Sequence, residues 1–342
     1  VSLLTLGLLA FSLSLVLTLL MICVNIVDQP GHRSSHSVPT PRSGGAAIVL
    51  AFFIISAFFG QFQLPFKDSL VAWQTTMGAA ALFAVLGFMD DLKNFSSIFR
   101  LPLQVLLSLA IIAAGVYIAP DALFTWNLPL WLSVLLSLVW LVGFVNAFNF
   151  MDGINGLSGG VAIISFTVIA LILNFHHYNL LMPIFSILIA STLGFLCLNF
   201  YFGRIFMGDV GSLFLGFIFA SFALLLTRTD FGSISFWTFP VLYFIYIYDT
   251  TLTVIRRGLR KENILTAHKE HLYQLLTRSG WSHTSVALLY YGIFILQGLL
   301  ALVMQNVDFR YHPFFLLPCL IFAIFYSLIV FRVAHLKKVI HA

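Results

Sequence analysis

The stretch LWLSVLLSLVWLVGFVNAFNFMDGINGLSGGVAIISFTVIALILNF, Leu130 to Phe175, decides how the chain is read. Two apolar runs, Leu130 to Phe148 and Leu157 to Leu173, flank a short segment that holds Asn146, Asn149, Asp152, Asn155 and several glycines. Each run is about 20 residues long, enough to cross a hydrocarbon core of about 30 Å as a helix. The polar groups therefore sit at a membrane surface, at one end of both helices.

The same reading extends outward in both directions. The chain is 61% hydrophobic and 8% charged, against roughly 25% charged in an average soluble domain. Its mean hydropathy is +1.03. Further runs cover Ser2 to Val24, Gly45 to Phe62, Ala72 to Met89, Leu101 to Ala119, Leu180 to Leu198, Ser212 to Thr227, Phe236 to Leu252, Thr284 to Met304 and Phe314 to Val333. The fold expected is an all-α polytopic membrane protein of about eleven transmembrane helices, forming a single domain over residues 1–342. The first run lacks a basic segment before it and a small-residue cleavage site, so it reads as a retained span. Cys23, Cys197 and Cys319 lie in or beside spans without CxxC spacing and read as small buried apolar residues.

Eleven spans place the termini on opposite sides. The loops beginning near Asn25, Asp90, Asn149, Asn199 and Thr253, with the C-terminal tail, carry fourteen of the 17 Lys and Arg residues. The remaining connections hold only Lys67, Arg228 and Arg310. The bias places the first group in the cytoplasm and the N-terminus outside. Asp28, Asp90, Asp91, Asp152, Asp209, Asp249, Glu262 and Glu270 fall on that face as well. Acidic residues follow no such topological rule. A water-facing site built from several cytoplasmic loops explains them, because polar groups at helix ends in lipid persist where they line a cavity or bind something.

Each motif has a functional reading and a plain one. In GFMDDLKN, Gly87 to Asn94, the adjacent Asp90 and Asp91 repel each other unless a cation compensates; the alternative is a capped helix end. Asn146 with Asn149, and Asp152 with Asn155, share one face if their segment is helical, whereas a simple turn would use one of them as a cap. CLNFYFGRIFMGDVGSLFLGF, Cys197 to Phe217, brings Asn199, Arg204, Phe206 and Asp209. Asp209 either caps a helix starting near Ser212 or holds a magnesium ion that phosphate oxygens and water complete. DQPGHRSSHSVPTPRSGG, Asp28 to Gly45, carries Arg33, His36 and Arg42, and RRGLRKENILTAHKEHLYQLLTRSG, Arg256 to Gly280, carries His268 and His271. Its arginine run suits anionic lipid. Nothing in the chain suggests nucleic acid as a partner.

Taken in order, HSVPTPRSGG, GFMDDLKN, NAFNFMDGINGL, FMGDVGSLFLG, YDTTLTVIRR and AHKEHLYQLL resemble the polyprenyl-phosphate N-acetylhexosamine-1-phosphate transferases, and the resemblance covers nearly the whole chain. It implies a bacterial inner-membrane enzyme in which a phosphate oxygen of the lipid carrier attacks the β-phosphorus of a UDP-sugar and UMP leaves. It implies Mg2+, or Mn2+ in its place, as cofactor, with Asp209 and Asn149 as metal ligands. It also implies Asp90, Asp91 and His271 as catalytic residues. Arg33, Arg42, Asn146, Asp152, Asn155, Asn199, Phe206 and His268 are the implied substrate-binding set, with Phe206 stacked on uracil. The implied partners are a UDP-N-acetylhexosamine, polyprenyl phosphate, the bilayer and a second copy of the chain in a homodimer.

Two departures bear on the donor sugar. Asn155 stands where many members carry a second aspartate, and Leu272, Tyr273 and Gln274 stand where many carry consecutive histidines. Both resemble the branch that initiates O-antigen synthesis, whose donors include deoxy-amino sugars. A transporter of anionic solutes would instead place polar groups at the bilayer midplane in related halves. An intramembrane prenyltransferase would require a second aspartate-rich motif, which the chain does not have.

Overall fold

The computed structural model describes residues 2–24, 26–28, 39–60, 70–93, 95–124, 126–228, 231, 234–263 and 268–339. Arg33 and His36 lie outside the described residues. Among the described residues, thirteen α-helices account for nearly all the regular structure: α1 (Leu3–Val24), α2 (Gly45–Phe58), α3 (Leu70–Lys93), α4 (Ser97–Ala113), α5 (Leu130–Phe150), α6 (Leu157–Phe175), α7 (Met182–Leu196), α8 (Gly208–Leu225), α9 (Thr238–Leu242), α10 (Phe244–Leu259), α11 (Leu272–Arg278), α12 (His283–Met304) and α13 (Leu316–Leu336). A two-residue ladder pairs β1 (Val27–Asp28) with β2 (Thr40–Pro41) in antiparallel fashion.

Every predicted apolar run contains a helix, and among the described residues eight helical segments are long and apolar enough to cross a membrane. The other three runs give shorter helices: α2 has 14 residues, α4 has 17 and α10 has 16. In α4 the helix stops at Ala113 rather than Ala119, because Gly115 turns the chain with φ +86 and its carbonyl accepts from Arg228 at 2.6 Å. The run from Phe236 to Leu252 is divided at Tyr243 into α9 and α10. The side-chain amide of Gln297 in α12 compensates that break, donating to the Leu242 carbonyl at 3.1 Å and accepting from the Ile245 amide at 3.2 Å.

Helix α8 is the centre of the bundle. Its residues from Val210 to Leu225 are all buried, as expected of a helix that is apolar on every face. It packs against α2, α3 and α5. Phe83 of α3 stacks on Phe217 at 4.4 Å, and Phe166 of α6 stacks on Phe219 at 4.2 Å. Helices α1 and α13, by contrast, bury only a narrow stripe and present Leu, Ile and Phe outward, the pattern of helices bathed in lipid. With α8 fixed at the core, whatever stands at its N-terminus is held by three neighbouring helices.

Candidate active site

The polar residues gather at one end of the bundle, where α3 and α5 finish and α4 and α8 begin. Asp91, in the last turn of α3, is 3% exposed. Its Oδ1 accepts the Asp209 amide at 2.9 Å, and its Oδ2 accepts the Val210 amide at 3.3 Å and the Ser43 hydroxyl at 2.9 Å. The carboxylate therefore caps α8 from another helix, satisfying amides that a helix start leaves open and complementing its dipole. Helix α8 begins at Gly208, so Asp209 lies inside its first turn and is not the cap that the sequence suggested. The approach depends on Gly87, where a Cβ would come 2.2 Å from the Asp209 carbonyl oxygen.

Asp90 turns the other way. Arg100, near the start of α4, places one guanidinium nitrogen 2.5 Å from Asp90 Oδ2 and 3.0 Å from Asp209 Oδ2. Asn149, in the last turn of α5, donates to Asp209 Oδ1 at 2.7 Å and to the Ser212 hydroxyl at 2.8 Å. Four helix ends thus meet on Asp209, whose side chain is 30% exposed against 6% for Asp90. Asp90 Oδ1 is buried and has no hydrogen-bond partner.

Loops frame this cluster. The segment after β2 runs beside the chain before α8: Phe206 donates its amide to the Pro41 carbonyl at 2.8 Å, and Gly44 donates to the Phe206 carbonyl at 2.9 Å. That pairing puts Arg42 against the Asp91 carbonyl, to which its guanidinium donates, and leaves Phe206 half-buried beside it. Asn199 lies in a π-turn (Cys197–Tyr201), a widened turn of the kind found at functional sites. It is 5% exposed, accepting from the Gly156 amide at 2.7 Å and donating to the Ile205 carbonyl at 2.8 Å, so it ties the turn after α5 to the loop before α8.

Asn146 and Asn149 are both on α5, as a helical reading required. Asn146 nevertheless pairs with the buried Gln104 of α4 at 2.6 Å rather than with the carboxylates. Asp152 and Asn155 lie beyond the helix, in the turn to α6, and do not continue its face. Burial raises the Asp152 carboxyl to about 7; the Ser158 hydroxyl opposes this, and the charges of Asp209 and Asp91 add to it. Asn155 Oδ1 is buried without a partner.

A second cluster adjoins the first through Phe150, the residue after Asn149. The His271 ring stacks on Phe150 with centroids 5.9 Å apart, and His268 lies 4.9 Å from His271. Burial holds the His268 ring down to about 4, and the neighbouring His271 and Arg257 act in the same direction. Tyr273, at one of the positions where the sequence departs from histidine, donates to the Phe150 carbonyl at 2.9 Å and lies over Gly153, where a Cβ would meet its hydroxyl at 2.1 Å. Gln274 accepts the His271 amide at 3.2 Å. These residues build the start of α11.

The structure therefore brings Asp90, Asp91, Asn149, Asp209 and Arg42 into one cluster, with Asp152 and Phe206 at its edge and the two histidines alongside. Arg100, Ser43, Ser212 and Asp249 were not singled out from sequence. For Arg100 the only signal was its place among the basic residues, shared with thirteen others in the loops read as cytoplasmic. No group of three or more His, Cys, Asp or Glu among the described residues is arranged to enclose a metal ion. One or two carboxylates suffice for Mg2+, which keeps waters and substrate phosphates for the rest of its shell. Asp209 and the unpartnered oxygen of Asp90 meet that requirement.

The chain is similar in sequence to known proteins. Residues 73–227, from the interior of α3 to just past α8, match glycosyl transferase family 4. A probable undecaprenyl-phosphate N-acetylglucosaminyl 1-phosphate transferase of Bacillus subtilis is 31% identical over 306 residues, covering 87% of this chain and 83% of the relative. A decaprenyl-phosphate N-acetylglucosaminephosphotransferase of Mycobacterium leprae is 30% identical over 293 residues, covering 78% and 73%. A phospho-N-acetylmuramoyl-pentapeptide-transferase of Listeria welshimeri is 29% identical over 279 residues, covering 74% and 80%.

Proposed function

We infer that this chain, which belongs to glycosyl transferase family 4, transfers an N-acetylhexosamine-1-phosphate from a UDP-sugar to polyprenyl phosphate and releases UMP. The observation that carries the reading is the meeting of four helix ends on Asp209, with Asp90 joined to it through Arg100 and Asn149 beside it. Such a cluster at one membrane face suits two substrates that share phosphate chemistry and differ in solubility, one from water and one from the bilayer.

The charge balance shapes the mechanism. Bringing a phosphate monoester to a diphosphate gathers negative charge, so positioning and electrostatic stabilisation dominate phosphoryl transfer. Mg2+ held by Asp209 and Asp90, with the Asn149 amide beside it, would supply positive charge at the phosphate oxygens. Arg100 carries charge of the same sign at the same place. The second pKa of a phosphate monoester is about 6, so the lipid phosphate is already mostly dianionic at neutral pH and needs no strong base. Asp90 then orients the acceptor and balances the cations. Asp91 is a positioning residue that aims α8 at the site. Arg42 and Phe206 flank the nucleotide, while Asn146 and Asn199 hold the surrounding segments in place.

The membrane arrangement proposed is eleven crossings, with the short helices α2, α4 and the α9–α10 pair included, the N-terminus outside and the site toward the cytoplasm of a bacterial inner membrane. The relatives' names make UDP-N-acetylglucosamine the first donor to test, with the deoxy-amino sugars of the O-antigen branch as alternatives. Purified protein given polyprenyl phosphate and a panel of UDP-N-acetylhexosamines should yield lipid-linked product and UMP from at least one of them. A folded preparation that releases UMP from none contradicts the proposal.

A further inference from the structure

Asp249 of α10 lies in the YDTTLTVIRR motif but has no part in the mechanism. It is wholly buried, and three of its four polar neighbours are donors. The Leu272 amide lies 3.0 Å from both oxygens, the Thr253 hydroxyl donates to Oδ1 at 3.3 Å, and the Tyr290 hydroxyl donates to Oδ2 at 3.5 Å. A carboxyl surrounded by donors acts as an acceptor. The fourth neighbour is His271 Nδ1, 3.3 Å from Oδ1.

That environment fixes the imidazole. The His271 side chain also faces the Gln274 amide across the capping box of α11; the carboxylate is the stronger partner of the two, so a neutral ring carries its hydrogen on Nδ1 and leaves Nε2 as a lone pair. The ring is also held sterically, on Phe150 at 5.9 Å and on Tyr273 at 6.1 Å. The segment that bears it is pinned on its other side, where Glu270 is 3.0 Å from Arg257 and also pairs with Arg260. His271 is 2% exposed, so it cannot choose its tautomer by contact with bulk water.

We propose that Asp249 is a positioning residue that locks His271 in its Nδ1–H tautomer, presenting the Nε2 lone pair as the acceptor for a hydroxyl or bound water of the sugar nucleotide. The role of that lone pair rests on the transferase reading; the tautomer does not. A buried carboxylate that orients a histidine contributes through the geometry it enforces, and replacing it with the isosteric amide removes that contribution without removing the side chain.

Asp249→Asn is the informative change. The amide oxygen can still accept from Leu272, and the amide nitrogen then faces His271 Nδ1 as a donor, which drives the ring to the Nε2–H form. Nitrogen NMR of protein labelled at histidine, with the His271 signals assigned by their loss in His271→Gln, reads the tautomer without any substrate. Wild type should show Nδ1 protonated and Asp249→Asn should show Nε2 protonated. In UMP-release assays, kcat of Asp249→Asn should fall at least about 10-fold with KM for the UDP-sugar within about twofold. A wild-type ring that carries hydrogen on Nε2, alone or together with Nδ1, overturns the proposal even if the variant does not fold. So does a folded Asp249→Asn protein with undiminished kcat, or one whose loss is confined to KM.

Discussion

The Asp91 carboxylate accepts the backbone amide of Asp209 at 2.9 Å, so the two acids meet end to end, one as the cap of the helix that carries the other. The contact gives Asp91 a task distinct from that of its neighbour Asp90. Replacing Asp91 with Ala leaves the amides of Asp209 and Val210 buried without an acceptor, which costs about 1–3 kcal/mol for each group stranded. Asp91→Ala should lower the melting temperature in detergent, while Asp91→Asn, which keeps one acceptor oxygen, should retain most of it. An unchanged melting temperature for Asp91→Ala would show that the cap is unimportant.

Asp209 and Asp90 differ in a way that activity should reveal. Asp209 receives contacts from Arg100, Asn149 and Asp91's hold on its backbone, whereas Asp90 pairs with Arg100 and keeps one buried oxygen without a hydrogen-bond partner. Asp209→Asn should reduce kcat by about 100-fold or more, the scale of losing a principal electrostatic group, and Asp90→Asn should cost clearly less. Equal losses in UMP release would contradict this ranking.

Arg100 occupies the space between two carboxylates that would also hold a divalent cation. Removing the guanidinium takes away a competing positive charge at short range. Arg100→Gln should therefore bind Mn2+ more tightly than wild type by electron paramagnetic resonance titration, yet turn over more slowly. Weaker Mn2+ binding in the variant would mean that Arg100 organises the acids for the metal rather than competing with it.

Asp152 provides a pH test. Its folded carboxyl titrates at about 7 against an ordinary value of 3.8, with burial the main cause. The folded chain thus holds this proton more tightly than the unfolded chain, so the group's contribution to stability is complete below 3.8 and is lost as pH rises through about 7. Asp152→Asn carries no such charge. Its melting temperature relative to wild type should be higher at about pH 8 than at about pH 5, and a difference that does not change with pH would show that Asp152 is not buried as a charge.

Close packing gives a further test. A methyl group at Gly87 would collide with the Asp209 carbonyl oxygen, a backbone atom that cannot swing aside. Gly87→Ala should push α3 from α8, lowering both melting temperature and kcat; overpacking of this kind costs about 1–3 kcal/mol. Wild-type values for both would refute the close approach.

Much of this arrangement was legible in the residues. Apolar runs located the helices because length and hydropathy act locally, and Asp90, Asp91, Asn149 and Asp209 were visible as polar groups at the ends of those runs. What remained hidden depends on contacts between distant segments. Whether Asp91 faces a substrate or the amides of α8 is decided by how α3 crosses α8, and Asn146 meets Gln104 because α4 packs on α5. Asp249 looked like one more acid on the basic face until α11 folded over it. The division at Tyr243 was hidden for the same reason, since the groups that compensate it come from Gln297, far along the chain.

In the proposed reaction a sugar-1-phosphate, not a bare sugar, moves to the lipid. It is tested most directly with UDP-N-acetylglucosamine radiolabelled at the β-phosphorus, incubated with purified protein and polyprenyl phosphate and then partitioned between butanol and water. The label should enter the lipid phase together with the sugar, with unlabelled UMP left in water, and Asp209→Asn should abolish the transfer. Label remaining in aqueous UDP while the sugar alone reaches the lipid would mean that a bare sugar is transferred and rule out the proposed reaction.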